Sequence, residues 1–195
     1  MSDMIQTRYE REPAKRVFAA ELREATKTIK DESDEKSPTY LLLPTGERCN
    51  RILISGAITD KVKGGDQNVT YRAKVSDPTG MFYISASSYQ PEAMLQMAKI
   101  DTEMPSFVTV VGKPNAYTTP DGRVLVSVRA ESIQVVDRET RDMWAADTAK
   151  ATLKRVEQMF SDGELTPSAK LARETYPQKA EFWKQMVFDA LSKLL

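Results

Sequence analysis

The fold is decided by the stretch TYRAKVSDPTGMFYISAS, residues 70–87, in which two alternating segments flank a turn sequence. Apolar side chains recur at every second position on both sides of that turn, at Tyr71, Ala73, Val75, Phe82, Ile84 and Ala86. Alternation of this kind predicts β-strands that bury one face. The residues DPTG between them, 77–80, are typical of a tight turn. The stretch therefore predicts a β-hairpin.

Further strands precede and follow this hairpin. The preceding strand is RILISGAIT, residues 51–59, with Gly56 midway along it, where a barrel strand must coil sharply. After the hairpin comes a short helical segment, PEAMLQMAK, residues 91–99. Two more strands follow, FVTVVGKP at residues 107–114 and VLVSVRAESIQVV at residues 124–136, joined by the loop NAYTTPDGR.

These elements run in the order of three strands, a short helix and two strands. This is the order of the OB-fold, a five-stranded barrel that holds ligands against its second and third strands and two of its loops. A five-stranded barrel of the SH3 type is the structural alternative, but the helix between the third and fourth strands argues against it. We therefore expect a mainly β protein with flanking helices, in which residues 39–137 form the OB-fold domain.

The N-terminal segment, residues 10–30, has the pattern of an amphipathic helix. Its apolar residues are spaced four, three and four positions apart, at Phe18, Leu22, Ala25 and Ile29. The next residues, 31–38, are charged and end in proline, which predicts a flexible linker. We expect residues 1–38 to form an N-terminal helix and this linker.

A helical region of residues 138–195 follows the predicted barrel. Its first helix covers residues 138–161, where apolar residues recur every three or four positions. A short helix is expected from Pro167 to about Thr175, and a last one after Pro177. We expect this C-terminal extension to serve subunit assembly.

Composition argues against an enzyme or a metalloprotein. The chain contains no histidine, which removes the commonest general base and zinc ligand near neutral pH. Its one cysteine, Cys49, provides neither an intramolecular disulfide nor a multi-thiolate metal site. The phosphate-binding loop motif of nucleotide hydrolases is absent as well. We therefore expect no catalytic residues, no metal and no cofactor.

Charge and hydropathy limit the interactions of the chain. Its 28 lysines and arginines equal its 28 aspartates and glutamates, so no overall positive field attracts nucleic acid. Any nucleic-acid affinity must come from a local patch. No apolar run is long enough to cross a bilayer, and the charged N-terminus has no hydrophobic stretch after it. We expect a cytoplasmic protein without membrane contact.

Six blocks of sequence carry a family resemblance. They are REPAKRVFAAEL (11–22), SPTYLLLPTGERCNRI (37–52), VSDPTGMFYISASSYQPEA (75–93), FVTVVGKPNAY (107–117), VSVRAESIQVVD (126–137) and TRDMWAADTAKATLKR (140–155). In this order they resemble the archaeal family of proteins associated with replication protein A (RPA), whose OB domain is similar to the middle subunit of eukaryotic replication protein A. The resemblance fades beyond Phe160.

This resemblance implies a function and partners. It implies a subunit of an archaeal RPA-like complex that acts in DNA replication, repair and recombination and contacts single-stranded DNA (ssDNA) without sequence preference. The implied partners are the large OB-fold subunit of replication protein A, a third small subunit, and ssDNA, which the chain alone would bind weakly. The alternative is a purely structural assembly factor whose barrel binds protein and not DNA.

Proteins of this kind hold ssDNA with basic grooves and aromatic platforms. In the family pattern, an aromatic residue after strand four matches Tyr117, whereas a tryptophan near the end of strand three falls at Ser87, where Tyr83 or Tyr89 would substitute. Strand parity and loop position complete the predicted ssDNA-binding set, which is Lys61, Lys63, Arg72, Lys74, Tyr83, Tyr89, Lys113, Tyr117, Arg123 and Arg129. The alternative is that these tyrosines are half-exposed barrel residues and the cations a solvated face.

The helix after the barrel carries an apolar stripe that we predict to bind a partner subunit. The stripe consists of Met143, Trp144, Leu153, Val156 and Phe160. A helix of about 22 residues extends roughly 33 Å, which is longer than a small barrel is wide. Packing of the stripe against the chain's own barrel is the alternative.

Overall fold

A five-stranded barrel with one further two-residue strand paired to it, a three-stranded sheet and five helices make up the part of the chain that the computed structural model describes, residues 11–30 and 37–194. In chain order the elements are β1 (Lys15–Arg16), α1 (Ala19–Glu24), β2 (Lys27–Ile29), β3 (Tyr40–Leu42), β4 (Arg48–Cys49), β5 (Ile52–Gly64), β6 (Thr70–Asp77), β7 (Gly80–Ser87), α2 (Pro91–Lys99), β8 (Ser106–Thr118), β9 (Val124–Val136), α3 (Arg138–Phe160), α4 (Pro167–Thr175) and α5 (Ala180–Ser192).

The barrel closes through the order β5-β6-β7-β9-β8, with β8 pairing back onto β5. All neighbours are antiparallel except β7 and β9, which run parallel because α2 and β8 lie between them in the chain. This order and closure confirm the predicted OB-fold. The predicted hairpin is present too, since β6 and β7 pair along their whole length from Thr70 with Ser87 to Asp77 with Gly80.

Glycine is required where β5 bends across the barrel. A Cβ atom on Gly56 would lie 2.2 Å from the carbonyl oxygen of Ser76 on β6. Two residues further on, the register between β5 and β6 shifts between Ile58 and Asp60. The close approach and the shift together let one long strand pair with β8 in its first half and with β6 in its second.

The predicted N-terminal helix is present but much shorter than the predicted residues 10–30, because only Ala19–Glu24 is helical. Before it, β1 pairs in parallel with the start of β5, and after it, β2 pairs with β3. The start of α1 is anchored to the β6–β7 turn, where the Asp77 carboxylate accepts the amide of Ala19 at 2.8 Å. Phe18 and Leu22 are nevertheless buried as the apolar spacing required. The backbone N–H and C=O groups that a longer helix would have paired internally form hydrogen bonds between strands instead.

Strands β2, β3 and β4 form a small antiparallel sheet, which we call the accessory sheet. It joins residues from both sides of the boundary that we predicted at residue 38. Tyr176, at the end of α4, fixes this sheet with its hydroxyl group, which donates to the carbonyl of Leu42 at 2.8 Å and accepts the amide of Lys27 at 3.1 Å. Most of the predicted linker, residues 31–36, lies outside the described residues.

The three C-terminal helices lie where they were predicted, and they fold back onto the barrel. Helix α3 starts at Asp137, whose side chain accepts the amide of Thr140 at 2.8 Å. Helix α5 begins three residues after Pro177 and packs against α3. Val187 and Ala190 of α5 belong to the same buried cluster as the barrel core. No helix in residues 11–30 and 37–194 is long and apolar enough to span a membrane.

A buried ion pair joins α1 to α3. Nη2 of Arg155 lies 2.9 Å from Oε2 and 3.1 Å from Oε1 of Glu21, and Nε of Arg155 donates to the hydroxyl of Thr45 at 3.0 Å. Glu21 is 0% exposed and Arg155 is 7% exposed. The pair thus ties the N-terminal segment, the accessory sheet and the C-terminal helix together.

Candidate functional site

A groove opens in the barrel wall where β7 and β9 diverge. These two strands pair at Ile84 with Val128 and at Ser85 with Arg129, and they separate toward their N-terminal ends. The resulting groove has a volume of about 720 Å³. Its floor is formed by Ala19, Leu22, Phe82, Val124 and Val126, and its rim by Arg23, Arg72, Met81, Tyr83, Tyr117, Leu125 and Ser127. It lies on the face that OB-folds use for ligands.

Two of the predicted tyrosines meet at this groove. Tyr83 comes from β7 and Tyr117 from the end of β8, where it pairs with Leu125. Their side chains are 55% and 58% exposed, so each ring has a face that a planar ligand can cover. Tyr89 is 89% exposed in the turn before α2 and is not among the residues that line the groove. Its predicted contact with DNA stays a prediction.

The groove is positively charged. Arg23 and Arg72 line it, and among its described lining residues there is no aspartate or glutamate. No carboxylate of the described residues lies within 4.0 Å of the Arg72 guanidinium. An anion that enters the groove therefore meets Arg72 as an available cation, whereas Arg23 lies 3.6 Å from the Glu24 carboxylate.

Arg72 begins a row of side chains that crosses four neighbouring strands. It pairs with Ser85, which pairs with Arg129, which in turn pairs with Lys113. We call these four residues the cationic row. Neighbouring strands lie about 4.8 Å apart, so the row extends roughly 14 Å across the outer wall. Like Arg72, neither Lys113 nor Arg129 has a carboxylate of the described residues within 4.0 Å.

Three other predicted cations are already engaged within the protein. The Lys61 ammonium group donates to the carbonyls of Met97 and Ala98 at 3.2 and 3.1 Å and caps the C-terminus of α2, so its contact with DNA stays a prediction. Lys74 pairs with Asp60 at 3.1 Å. Arg123 pairs with Asp121 at 2.7 Å across the β8–β9 turn.

The pKa of the Asp121 carboxyl group reflects its interaction with Arg123. Hydrogen bonds from the Thr119 hydroxyl and then from Arg123 hold its pKa below its usual range. Arg123 is therefore less available to a ligand than Arg72. Lys63 is exposed near the end of β5, where it pairs with Tyr71, and it does not line the groove.

The predicted partner-binding stripe is mostly covered by the protein itself. Trp144 is 5% exposed, donates its indole N–H to the carbonyl of Leu53 at 3.0 Å and packs edge-on against Phe18. Val156 is buried and Phe160 packs against a second buried cluster. Trp144 and Val156 are therefore not exposed to a partner, and Phe160 is only partly exposed, because other parts of the protein cover them. Met143 and Leu153 remain exposed.

Sequence reasoning missed the apolar part of the rim. Met81 and Leu125 are exposed large apolar residues that line the groove beside the two tyrosines. Both have the same strand parity as predicted site residues, Met81 with Tyr83 and Leu125 with Arg129, and this signal could have found them. No strand parity could have identified Arg23, because it reaches the groove from α1, which packs against β7.

The groove offers side chains that are suited to noncovalent binding. Burial raises the pKa of the Cys49 thiol to about 12, so it stays protonated near neutral pH. Among residues 11–30 and 37–194, no group of three or more acidic or cysteine side chains is placed to hold a metal ion. The groove offers aromatic faces, apolar rims and guanidinium groups. These groups are suited to a polymer that carries planar rings on an anionic backbone.

Similar proteins are found only among solved structures, since no protein-family model and no curated protein sequence matches the chain. A second single-stranded DNA-binding protein from Mycobacterium smegmatis is 17% identical, with a TM-score of 0.37 over 45% of this chain and 87% of that one. The mitochondrial single-stranded DNA-binding protein Rim1 from S. cerevisiae is 16% identical, with a TM-score of 0.35 over 45% and 94%. Yeast Stn1 and Ten1 give 11% identity and a TM-score of 0.41 over 67% and 64%. The OB-fold assignment of this chain rests on its own strand order and barrel closure.

Proposed function

We propose that this protein binds single-stranded DNA through the groove between β7 and β9, as the OB-fold subunit of an RPA-like complex. One observation carries the proposal: Tyr83, Tyr117 and Arg72 come from three different strands and meet at one groove whose described lining contains no carboxylate. Unpaired bases can stack on the two rings, while the guanidinium contacts the phosphate between them. A duplex would not present its bases in this way.

The expected affinity of the isolated chain is weak. Its formal net charge is zero, so long-range attraction contributes little. Each stacked base contributes about 1–3 kcal/mol, and each phosphate contact contributes a salt-dependent term. Two tyrosines and a few cations are enough for sequence-independent contact, and binding by the complex would add the surfaces of the other subunits.

The test is a fluorescence-anisotropy titration of a labelled oligo-dT at several salt concentrations. We expect Tyr83→Ala and Tyr117→Ala each to weaken binding by about 5- to 150-fold, the equivalent of 1–3 kcal/mol. Phe188→Ala is the matched control, because Phe188 is an exposed aromatic residue on α5, outside the groove. We expect Arg72→Ala to reduce the slope of log K against log salt by about 0.7.

Absence of binding at low salt, or equal losses in the tyrosine variants and the Phe188 control, would contradict the proposal. Lys150→Ala serves as the control for charge, because Lys150 is exposed on α3 and has only a long contact of 3.8 Å with Asp147. It should leave the salt slope unchanged.

The second candidate function is a barrel that binds protein alone. The exposed apolar side chains of Met81 and Leu125 favour it, because ssDNA makes less use of aliphatic rims than a protein partner does. The two functions differ in the effect of Met81→Ser and Leu125→Ser. These variants should abolish capture of a large OB-fold subunit if the groove binds protein, and should affect oligo-dT affinity little.

A further inference from the structure

A second cavity lies beside the groove, between the accessory sheet and the barrel. Its volume is about 300 Å³. Tyr40 and Leu41 line it from β3 and Asn50 from the segment after β4, while Lys113, Asn115 and Arg129 line it from the barrel. The accessory sheet and the barrel, both within the predicted OB-fold domain of residues 39–137, thus form the opposite walls of a cavity.

The cavity and the groove lie next to each other along the hairpin of β8 and β9. Asn115 lines the cavity, and its cross-strand partner Ser127 lines the groove. Tyr117, Asn115 and Lys113 lie on the same side of β8 at intervals of two residues, or roughly 7 Å. The cationic row enters the cavity at its far end, through Arg129 and Lys113.

The chemistry of the cavity suits a phosphate with an attached polar ring. Lys113 and Arg129 are its cations, and none of the described residues that line it is acidic. The amides of Asn50 and Asn115 form no side-chain hydrogen bond with other described residues, so they can pair with the edge of a base. The Glu12 carboxylate is engaged on the Tyr40 side, where it accepts a hydrogen bond from the Tyr40 hydroxyl.

The wall formed by the accessory sheet is held in place before any ligand arrives. The Arg48 guanidinium lies 4.5 Å from the centre of the Tyr40 ring and fixes that side chain. Behind the sheet, Tyr176 links β2 and β3 to the C-terminal helices through its two hydrogen bonds. A cavity with fixed walls avoids the entropic cost of ordering them on binding.

We propose that this cavity is a second nucleotide subsite, so that an ssDNA strand continues from the groove along β8 and onto the accessory sheet. Lys113 and Arg129 contact phosphate, and Asn50 and Asn115 contact the base. This inference rests on the proposed function of the groove and extends it beyond the barrel. It gives the accessory sheet, which a minimal OB-fold does not need, a role in binding.

The test is a series of oligo-dT lengths from 4 to 16 nucleotides, the range of site sizes that OB-folds cover. Lys113→Ala, Arg129→Ala and Asn50→Ala should weaken binding of the longer oligonucleotides more than binding of the shortest one that binds. On long oligonucleotides, Lys113→Ala and Arg129→Ala should each reduce the salt slope by about 0.7. Lys113→Arg keeps the charge and should keep the slope, and Lys150→Ala is the control outside the site.

The outcomes separate this inference from the proposal on which it rests. If Tyr83→Ala and Tyr117→Ala weaken binding but Lys113→Ala, Arg129→Ala and Asn50→Ala change nothing at any length, the groove binds DNA and the second subsite is wrong. Equal losses on short and long oligonucleotides would also overturn the subsite. If no oligonucleotide binds at low salt, the proposed function fails and the subsite fails with it. Unchanged thermal unfolding midpoints show that each variant is folded.

Discussion

At the scale of single residues, the ion pair of Glu21 and Arg155 has the largest expected effect on stability. Both side chains are almost fully buried, and their hydrogen bonds also satisfy Thr45. Glu21→Ala removes the closer counter-charge of a buried guanidinium and leaves only the Glu47 carboxylate at 3.8 Å, so we expect a cost of up to about 3–5 kcal/mol. We expect a corresponding fall in the free energy of unfolding measured by urea titration. Arg155→Ala should have a similar effect.

The matched control for this pair is Lys184 with Glu181 on α5. Their side chains are 2.9 Å apart but largely exposed. Exposed pairs contribute about 0–1 kcal/mol, so Lys184→Ala should change the free energy of unfolding little. An equal effect of Glu21→Ala and Lys184→Ala would contradict the assignment of a buried structural pair.

Cys49 gives a prediction for pH dependence. Burial, as the largest cause, raises the pKa of its thiol to about 12, whereas an ordinary thiol ionises near 8.5. The unfolded chain therefore loses the proton first as the pH rises, so stability is present below about pH 8.5 and decreases above it. The loss approaches 1.4 kcal/mol per pH unit.

We expect native Cys49 to react with a thiol reagent at pH 8 much more slowly than the unfolded chain, because the thiol is buried and burial raises its pKa. Cys49→Ala should remove this part of the alkaline loss of stability. Fast labelling of the folded protein would show that the thiol is accessible, contrary to its burial.

Residue positions on strands were predictable, but their partners were not. The outward direction of Arg72, Tyr83 and Arg129 followed from alternation, because the side-chain period of a strand is two. The role of Lys61 could not follow from alternation, since it depends on where the end of α2 packs. Glu21 and Arg155 lie 134 positions apart, and no local pattern in the sequence connects them.

At the scale of the elements, the barrel depends on the bend in β5. Gly56→Ala places a Cβ 2.2 Å from a backbone oxygen that cannot move without breaking the β5–β6 pairing. We expect a loss of about 1–3 kcal/mol in the free energy of unfolding, as for other overpacked sites. Gly64→Ala is the control in the same strand, because no atom lies within 4 Å of its added Cβ. Equal thermal midpoints of the two variants would contradict this account.

Elements with a long, uniform pattern were predicted better than short ones. Helix α3 has 23 residues and a capping aspartate, and its predicted and observed bounds agree within one residue. The N-terminal segment has a helical spacing of apolar residues, but tertiary pairing of β1 with β5 and of β2 with β3 overrode that local preference. The accessory sheet was missed because its strands have only two or three residues each.

At the scale of the whole molecule, the C-terminal helices pack on the barrel and share its main buried cluster. Trp144 covers the outer side of β5, and α5 adds Val187 and Ala190 to the main cluster. Removal of residues 138–195 would expose Phe18 and Leu53, which these helices cover. A chain that ends at residue 137 should therefore lose its cooperative thermal transition. An unchanged midpoint in circular dichroism would show that the barrel is independent.

Because truncation disturbs the core, assembly has to be tested with surface variants. Met143 and Leu153 are the exposed members of the predicted partner-binding stripe on α3. If the chain joins a large OB-fold subunit through this helix, Met143→Ser combined with Leu153→Ser should reduce co-purification of that subunit, because burial of each side chain contributes about 1.5–3 kcal/mol to the contact. The thermal midpoint and the affinity for oligo-dT should not change, since both residues lie outside the core and the groove.

The control is Phe182→Ser combined with Phe188→Ser on α5, two exposed apolar residues outside the stripe. Undiminished co-purification of the α3 variant would exclude this surface as the subunit contact, and loss in the α5 variant alone would move the contact to the last helix.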